Sequence, residues 1–290
     1  MRAFSDHHPI AVAVYFLSVM LLTMFSMDPV VLALSLAGGI ALQLVRNGLK
    51  QVKTHGYMLL LFVGMALINP VFSHRGETVL FVVNHNPITL EALYYGLAAS
   101  SMIVATLYWF RSFSQIMTSD KLLCALAFLS PKISLMLSMA MRYVPLFGQQ
   151  AQKVRQAQKA LGLYKENNIV DSLRAGGRIF SVMTTWALEN GVITADSMTA
   201  RGYGLAKRSS YSLFRWRRRD ILLLFLSLLL LFTALYGVHS RAFTFYPAVS
   251  AAPMTLRSLI GYGACTLLAI LPSIIDIQEA LRWRCLQSNI

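Results

Sequence analysis

The chain has 290 residues, 56% of them hydrophobic and only 13% charged, where a soluble domain carries about 25% charged residues. Its 26 lysines and arginines outnumber 12 acidic residues, for a net charge of +14 and a mean hydropathy of +0.57. This composition excludes a soluble enzyme or a disordered chain and points to an integral membrane protein with one strongly basic side.

The first nine residues carry no small-residue cleavage site after a short apolar core, so a retained first helix is expected and not a removed signal peptide. A spanning helix needs about 20 mostly apolar residues, with about 17 to 25 tolerated. Residues 10–25, 30–45, 57–72 and 92–110 meet or approach that length, and residues 221–238 and 259–275 follow after a long polar stretch. None of these six segments holds a charged side chain. Asp28-Pro29, Asn69-Pro70 and His85-Asn86-Pro87 mark the breaks between them. With six spans and cytoplasmic termini, the external loops would hold only Arg75, Arg241 and Arg257 of the 26 basic residues. That bias predicts a multi-pass protein of the cell membrane with both termini inside.

Residues 121–219 stand apart, with 16 basic and 4 acidic residues. The expected division is therefore 1–120 and 220–290 as transmembrane helices, and 121–219 as an interfacial and cytoplasmic region. Residues 122–129 and 133–141 are short apolar runs split by Ser130-Pro131-Lys132, and one crossing there would place Arg215–Arg219 outside. They are read as embedded or interfacial, entering and leaving on the cytoplasmic side.

Two helical patterns follow Pro145. Phe147, Ala151, Val154 and Leu161 mark the first; Ile179, Val182, Met183, Trp186 and Ala187 form an amphipathic stripe on the second. Asp171 or Ser172 is the expected N-cap of the second helix, and Gly162 and Gly202 supply left-handed C-terminal positions. At 1.5 Å per residue, 171–200 would be a rod of roughly 45 Å, long enough to receive a partner.

The residues Pro131-Lys132, Met141-Arg142-Tyr143-Val144-Pro145, Arg155-Gln156-Ala157-Gln158-Lys159-Ala160-Leu161-Gly162 and Ala195-Asp196-Ser197-Met198-Thr199-Ala200-Arg201-Gly202-Tyr203-Gly204 resemble the transmembrane T component of energy-coupling factor (ECF) transporters. That family also includes the membrane permeases of cobalt and nickel importers. The resemblance implies an all-α integral membrane protein of about six transmembrane helices, with two long coupling helices between the fourth and fifth spans. It makes Arg142 and Pro145 a turn between membrane and coupling helices. It places ATPase contacts at Ala160-Leu161-Gly162 and Ala200-Arg201-Gly202, and packing or S-component contacts at Ile179, Val182, Met183 and Trp186. The implied partners are two ATPase subunits, which would carry ATP and Mg, a membrane-embedded substrate-binding S component, and the lipid bilayer. One departure is plain: the first family arginine is Leu161 here, so the coupling role carries over to Arg201 alone.

Simpler readings exist for each feature. Arg201 before Gly202 would, by itself, be a cation at a helix C-terminus, worth about 0.3–1 kcal/mol. Arg215–Arg219 reads as a flank touching anionic headgroups, and His7-His8 as ordinary terminal surface. Nucleic acid is not an expected partner, since the basic stretch is bounded by spans and has one aromatic among its arginines. Cys124, Cys265 and Cys285 form neither a disulfide framework nor a metal site. The chain has no phosphate-binding Gly-x-x-x-x-Gly-Lys-Ser/Thr loop, no legible catalytic cluster and no acidic or basic residue inside an expected span. A non-catalytic subunit that binds no cofactor itself is therefore expected. The alternatives are a cobalt or nickel permease of the same family and a stand-alone solute transporter.

Overall fold

A computed structural model describes residues 3–73, 76–83, 86–163, 169–205, 214–239, 243–247, 249–251 and 253–287. The chain forms two compact units, one from Met1–Leu122 with Phe214–Ile290 and one from Leu123–Leu213. The two expected transmembrane segments are thus one body, interrupted in sequence by the other.

The first unit is a helical bundle of α1 (Pro9–Phe25), α2 (Pro29–Asn47), α3 (Val52–Phe72), α4 (Leu90–Ile116), α8 (Arg218–His239) and α9 (Leu256–Gln287), with α5 (Ser119–Leu129) beginning at its edge. Helices α2, α3, α4, α8 and α9 are long and apolar enough to cross a membrane. At 17 residues, α1 is shorter and reaches about 26 Å, close to the hydrocarbon thickness of about 30 Å. A 3-10 turn at Ala3–Asp6 precedes it, with Phe4 fully buried against Tyr15 and Phe16. The fold is that of an all-α multi-pass membrane protein. Several helices outrun their apolar cores: α3 starts before Lys53, α4 continues through Arg111, and α9 continues past Asp276. Hydropathy marks where a helix is apolar, and hydrogen bonding carries it further.

Lipid tails are as apolar as leucine, so helices in a bilayer associate through close packing and polar contacts. Gly38 and Gly237 show the first. A Cβ on Gly38 would lie 2.6 Å from Ala269 Cβ, and one on Gly237 2.5 Å from Gly261 Cα. Trp109 shows the second: fully buried, it donates from Nε1 to the Ser35 carbonyl (3.2 Å) and hydroxyl (3.0 Å). Tyr15 donates to the Leu268 carbonyl at 2.5 Å, tying α1 to α9.

Charged groups cluster at the bundle's two ends. At one, Asp276 accepts from Phe4 N (3.1 Å) and faces Arg46 Nε (3.8 Å). Lys121 donates to the Ser5 carbonyl, and His7 Nδ1 meets Asp220 Oδ1 at 2.6 Å. The starts of α1 and α8 and the ends of α2, α4 and α9 therefore share this end, as six alternating spans require. His7-His8 is not ordinary surface: His8 is buried and stacks on Trp216 at 4.0 Å, because Asp220 and the indole offer partners that sequence separation hides. At the other end, Tyr262 donates to Asp28, whose other oxygen caps α2 through Val30 N (3.0 Å). Here the connections form two short antiparallel ribbons, β1 (Val79–Val83) with β2 (Asn86–Thr89) and β3 (Phe243–Thr244) with β4 (Ser250–Ala251).

The second unit holds the rest of α5 and two long helices, α6 (Pro131–Ala160) and α7 (Ile169–Ala200). Ser130 separates α5 from α6, which Pro131 begins, and Ser134 Oγ closes the corner by donating to the Leu123 carbonyl (2.9 Å). Pro145 does not make a turn. It lies inside α6 beside Arg142, so the second short apolar run and the first coupling helix are one continuous helix. Proline forfeits one i to i−4 hydrogen bond, and a 30-residue helix tolerates that loss. Nor is Asp171 or Ser172 an N-cap: α7 is already helical at Ile169, which leaves Asp171 in its first turn, where the helix dipole favours a carboxylate.

Candidate coupling surface

Helices α6 and α7 pack antiparallel. Tyr143 and Thr194 hydroxyls meet at 2.6 Å, the Phe147 and Trp186 rings cross edge-to-face at 5.5 Å, and Arg178 Nη2 donates to the Leu163 carbonyl at 2.6 Å. The packed faces repeat every three to four residues: Tyr143, Ala151, Val154 and Gln158 on α6, and Ala175, Ile179, Met183, Trp186 and Ala187 on α7 are buried or half-buried. Val182, one step off that line, is 47% exposed. The anticipated stripe therefore divides, with Ile179, Met183 and Trp186 on the packed side and Val182 outside. A second apolar face on α7, including Leu173, Phe180 and Leu188, is exposed.

Both helices end in the same hydrogen-bonded cap. After Ala160, Gly162 N donates to Lys159 O and Leu163 N to Gln158 O, both at 3.0 Å. After Ala200, Gly202 N donates to Thr199 O (3.0 Å) and Tyr203 N to Met198 O (2.9 Å). These are Schellman pairs, closed by Gly162 at φ 70° and Gly202 at φ 83°. Leu161 and Arg201 hold equivalent positions, just past the last helical alanine and just before the left-handed glycine. Both side chains are exposed, Leu161 at 72%.

The antiparallel arrangement puts the two tips at opposite ends of the pair. Arg178 touches the tip of α6, and Arg201 lies about 35 Å further along α7 at 1.5 Å per residue. Leu163 accompanies Leu161 at one tip, and Tyr203 and Leu205 accompany Arg201 at the other, all exposed. The motif reading overlooked Leu163, Leu205 and Arg178; the signal for the two leucines was their place beside the cap glycines. Arg142 and Pro145 are exposed along α6. Among the described residues, no group of three or more His, Cys, Asp or Glu could hold a metal ion.

Residues 4–211 match the profile of the cobalt transport protein family, CbiQ. The chain belongs to that family. Within the 290 residues the match takes in α1 to α7 and both capped tips. The chain is also similar to proteins named energy-coupling factor transporter transmembrane protein EcfT. That of Streptococcus equi subsp. equi (strain 4047) is 31% identical over 101 residues, 34% of this chain and 38% of the relative. That of Streptococcus thermophilus (strain ATCC BAA-250 / LMG 18311) is 33% identical over 93 residues, 31% of this chain and 35% of the relative. That of Lactobacillus helveticus (strain DPC 4571) is 28% identical over 108 residues, 35% and 39%. The alignments span less than two fifths of these relatives' lengths. As a member of this family the chain is a membrane component of a transporter.

Proposed function

We propose that this chain is the transmembrane coupling subunit of an ECF-type importer. Two cytoplasmic ATPase subunits would engage the tips of α6 and α7, and a separate S component would bind the substrate. The observation that carries this reading is the pair of identically capped, exposed tips about 35 Å apart along one antiparallel pair. Two separate contacts at that spacing suit two subunits that approach each other when they bind ATP. A pair of packed helices moves as a rigid element, so displacement of the tips would tilt whatever rests on the helices. The exposed face around Phe180 is a candidate seat for the S component, whereas Ile179, Met183 and Trp186 hold α6 to α7. ATP and Mg would bind the ATPases, with hydrolysis there and not in this chain. The bundle end that carries Arg46, Lys121 and Arg282 would face the cytoplasm.

Reconstitution tests the reading. The chain alone in liposomes should transport nothing, and uptake should require ATPases and an S component together. ATP-independent uptake by the chain alone would refute it. The family match favours cobalt among the possible substrates; uptake of labelled cobalt by the reconstituted complex, blocked by removing the S component, is the check.

A further inference from the structure

A cavity of about 480 Å³ opens between α8 and α9 at the basic end of the bundle. Its inner wall is apolar, formed by Leu223 and Leu226 on α8 and Leu271 and Ile275 on α9. Arg217, Arg219 and Arg282 line its outer part. The level of the cavity matters. The apolar run of α8 begins at Ile221 and that of α9 ends at Ile275, so the leucines lie at hydrocarbon depth and the arginines at headgroup depth. Three acidic residues also line the cavity: Asp6, Asp220 and Glu279. Asp220 is already engaged by His7 (2.6 Å) and by Arg217 N (3.0 Å). None of the three arginines forms an ion pair among the described residues. Arg215 and Arg218 flank them, exposed, and stacking of Trp216 on His8 at 4.0 Å holds this stretch against the first turn of α1.

A slot with an apolar wall at acyl depth and unpaired guanidinium groups above it matches a phospholipid, with phosphate at the mouth and one chain along the wall. Arginine forks hold phosphate oxygens bidentately, and basic pockets between spans on the cytoplasmic side are suited to anionic headgroups. We propose that this cavity binds one anionic phospholipid, whose phosphate pairs with Arg217, Arg219 and Arg282 and whose acyl chain lies against Leu223, Leu226, Leu271 and Ile275. The lipid would join α8 to α9 at the level where both helices leave the hydrocarbon.

Native mass spectrometry of the 290-residue chain, purified in mild detergent and offered palmitoyl-oleoyl phosphatidylglycerol, phosphatidylethanolamine or phosphatidylcholine, tests this. The expected result is one retained phosphatidylglycerol and little of the other two. Combining Arg217→Gln, Arg219→Gln and Arg282→Gln should lower that retention about tenfold or more, while Lys132→Gln, Lys153→Gln and Arg174→Gln together leave it unchanged. Leu226→Trp, which fills the wall and keeps every charge, should lower it as well. Monodisperse elution of each variant holds the fold constant. Equal retention of phosphatidylcholine or phosphatidylethanolamine, equal loss in the two triple variants, or retention that survives both the triple change and Leu226→Trp would overturn the proposal.

Discussion

Arg201 and Leu161 sit on the same backbone frame, so their difference is purely one of side chain. A guanidinium can grip a carboxylate with two hydrogen bonds and is always charged; a leucine offers only volume. On the proposed function, the ATPase contact at the α6 tip would be an apolar knob, with Leu163 beside it, and that at the α7 tip an ion pair flanked by Tyr203. Leu161→Arg should leave binding of that ATPase unchanged or weaker, and Leu161→Met should be nearly neutral because volume and polarity are kept. Tighter binding and faster uptake with Leu161→Arg would mean a degraded arginine site instead. The cap glycine makes a separate prediction. Gly202 holds φ 83°, and an added Cβ would lie 3.2 Å from Leu205 Cδ1. Gly202→Ala should cost about 1–2 kcal/mol, read as faster amide exchange at Tyr203 while α6 is unaffected.

The long helices show what sequence can and cannot reveal about an element. The apolar stripe on α7 was legible because packing against α6 imposes a period of three to four, and the cap glycines were legible because few other residues accept their backbone. Pro145 misled, since proline marks a helix boundary in a short soluble helix but not inside α6. Val182 falls off the α6-facing line because the stripe was counted without knowing which side α6 occupies. The second apolar face, with Leu173, Phe180 and Leu188, competed with the packed stripe for the same sequence signal. These two faces predict different failures. Trp186→Ala removes the ring against Phe147 and should loosen the α6–α7 pair, seen as increased proteolysis of both helices in the isolated chain. Phe180→Asp should leave the pair intact and lower S-component recovery in a pull-down, because a charge in a packed interface is costly. Unchanged recovery would remove that face from the interface.

For the whole molecule, charge and hydropathy revealed an all-α membrane bundle, five of whose described helices are long and apolar enough to cross a bilayer, since bilayer thickness is a global constraint. They were silent on the layer built at the basic end by Phe4, His7, Lys121, Asp220 and Asp276, whose partners lie far apart in sequence. The orientation is testable at Cys285, exposed near the end of α9. In a Cys124→Ser background, a membrane-impermeant maleimide should label Cys285 in inside-out vesicles and not in intact cells. The reverse pattern would turn the bundle over and place its basic end outside. The coupling role itself is tested most directly at Arg201. Truncating one partner of a buried charged pair costs about 2–5 kcal/mol, partly through the carboxylate left unpaired. ATP-driven substrate uptake by the complete complex in proteoliposomes should be lost or strongly reduced with Arg201→Ala, at normal membrane insertion of the chain. Near-normal uptake by that variant would contradict the account and leave Arg201 as a helix-terminal cation.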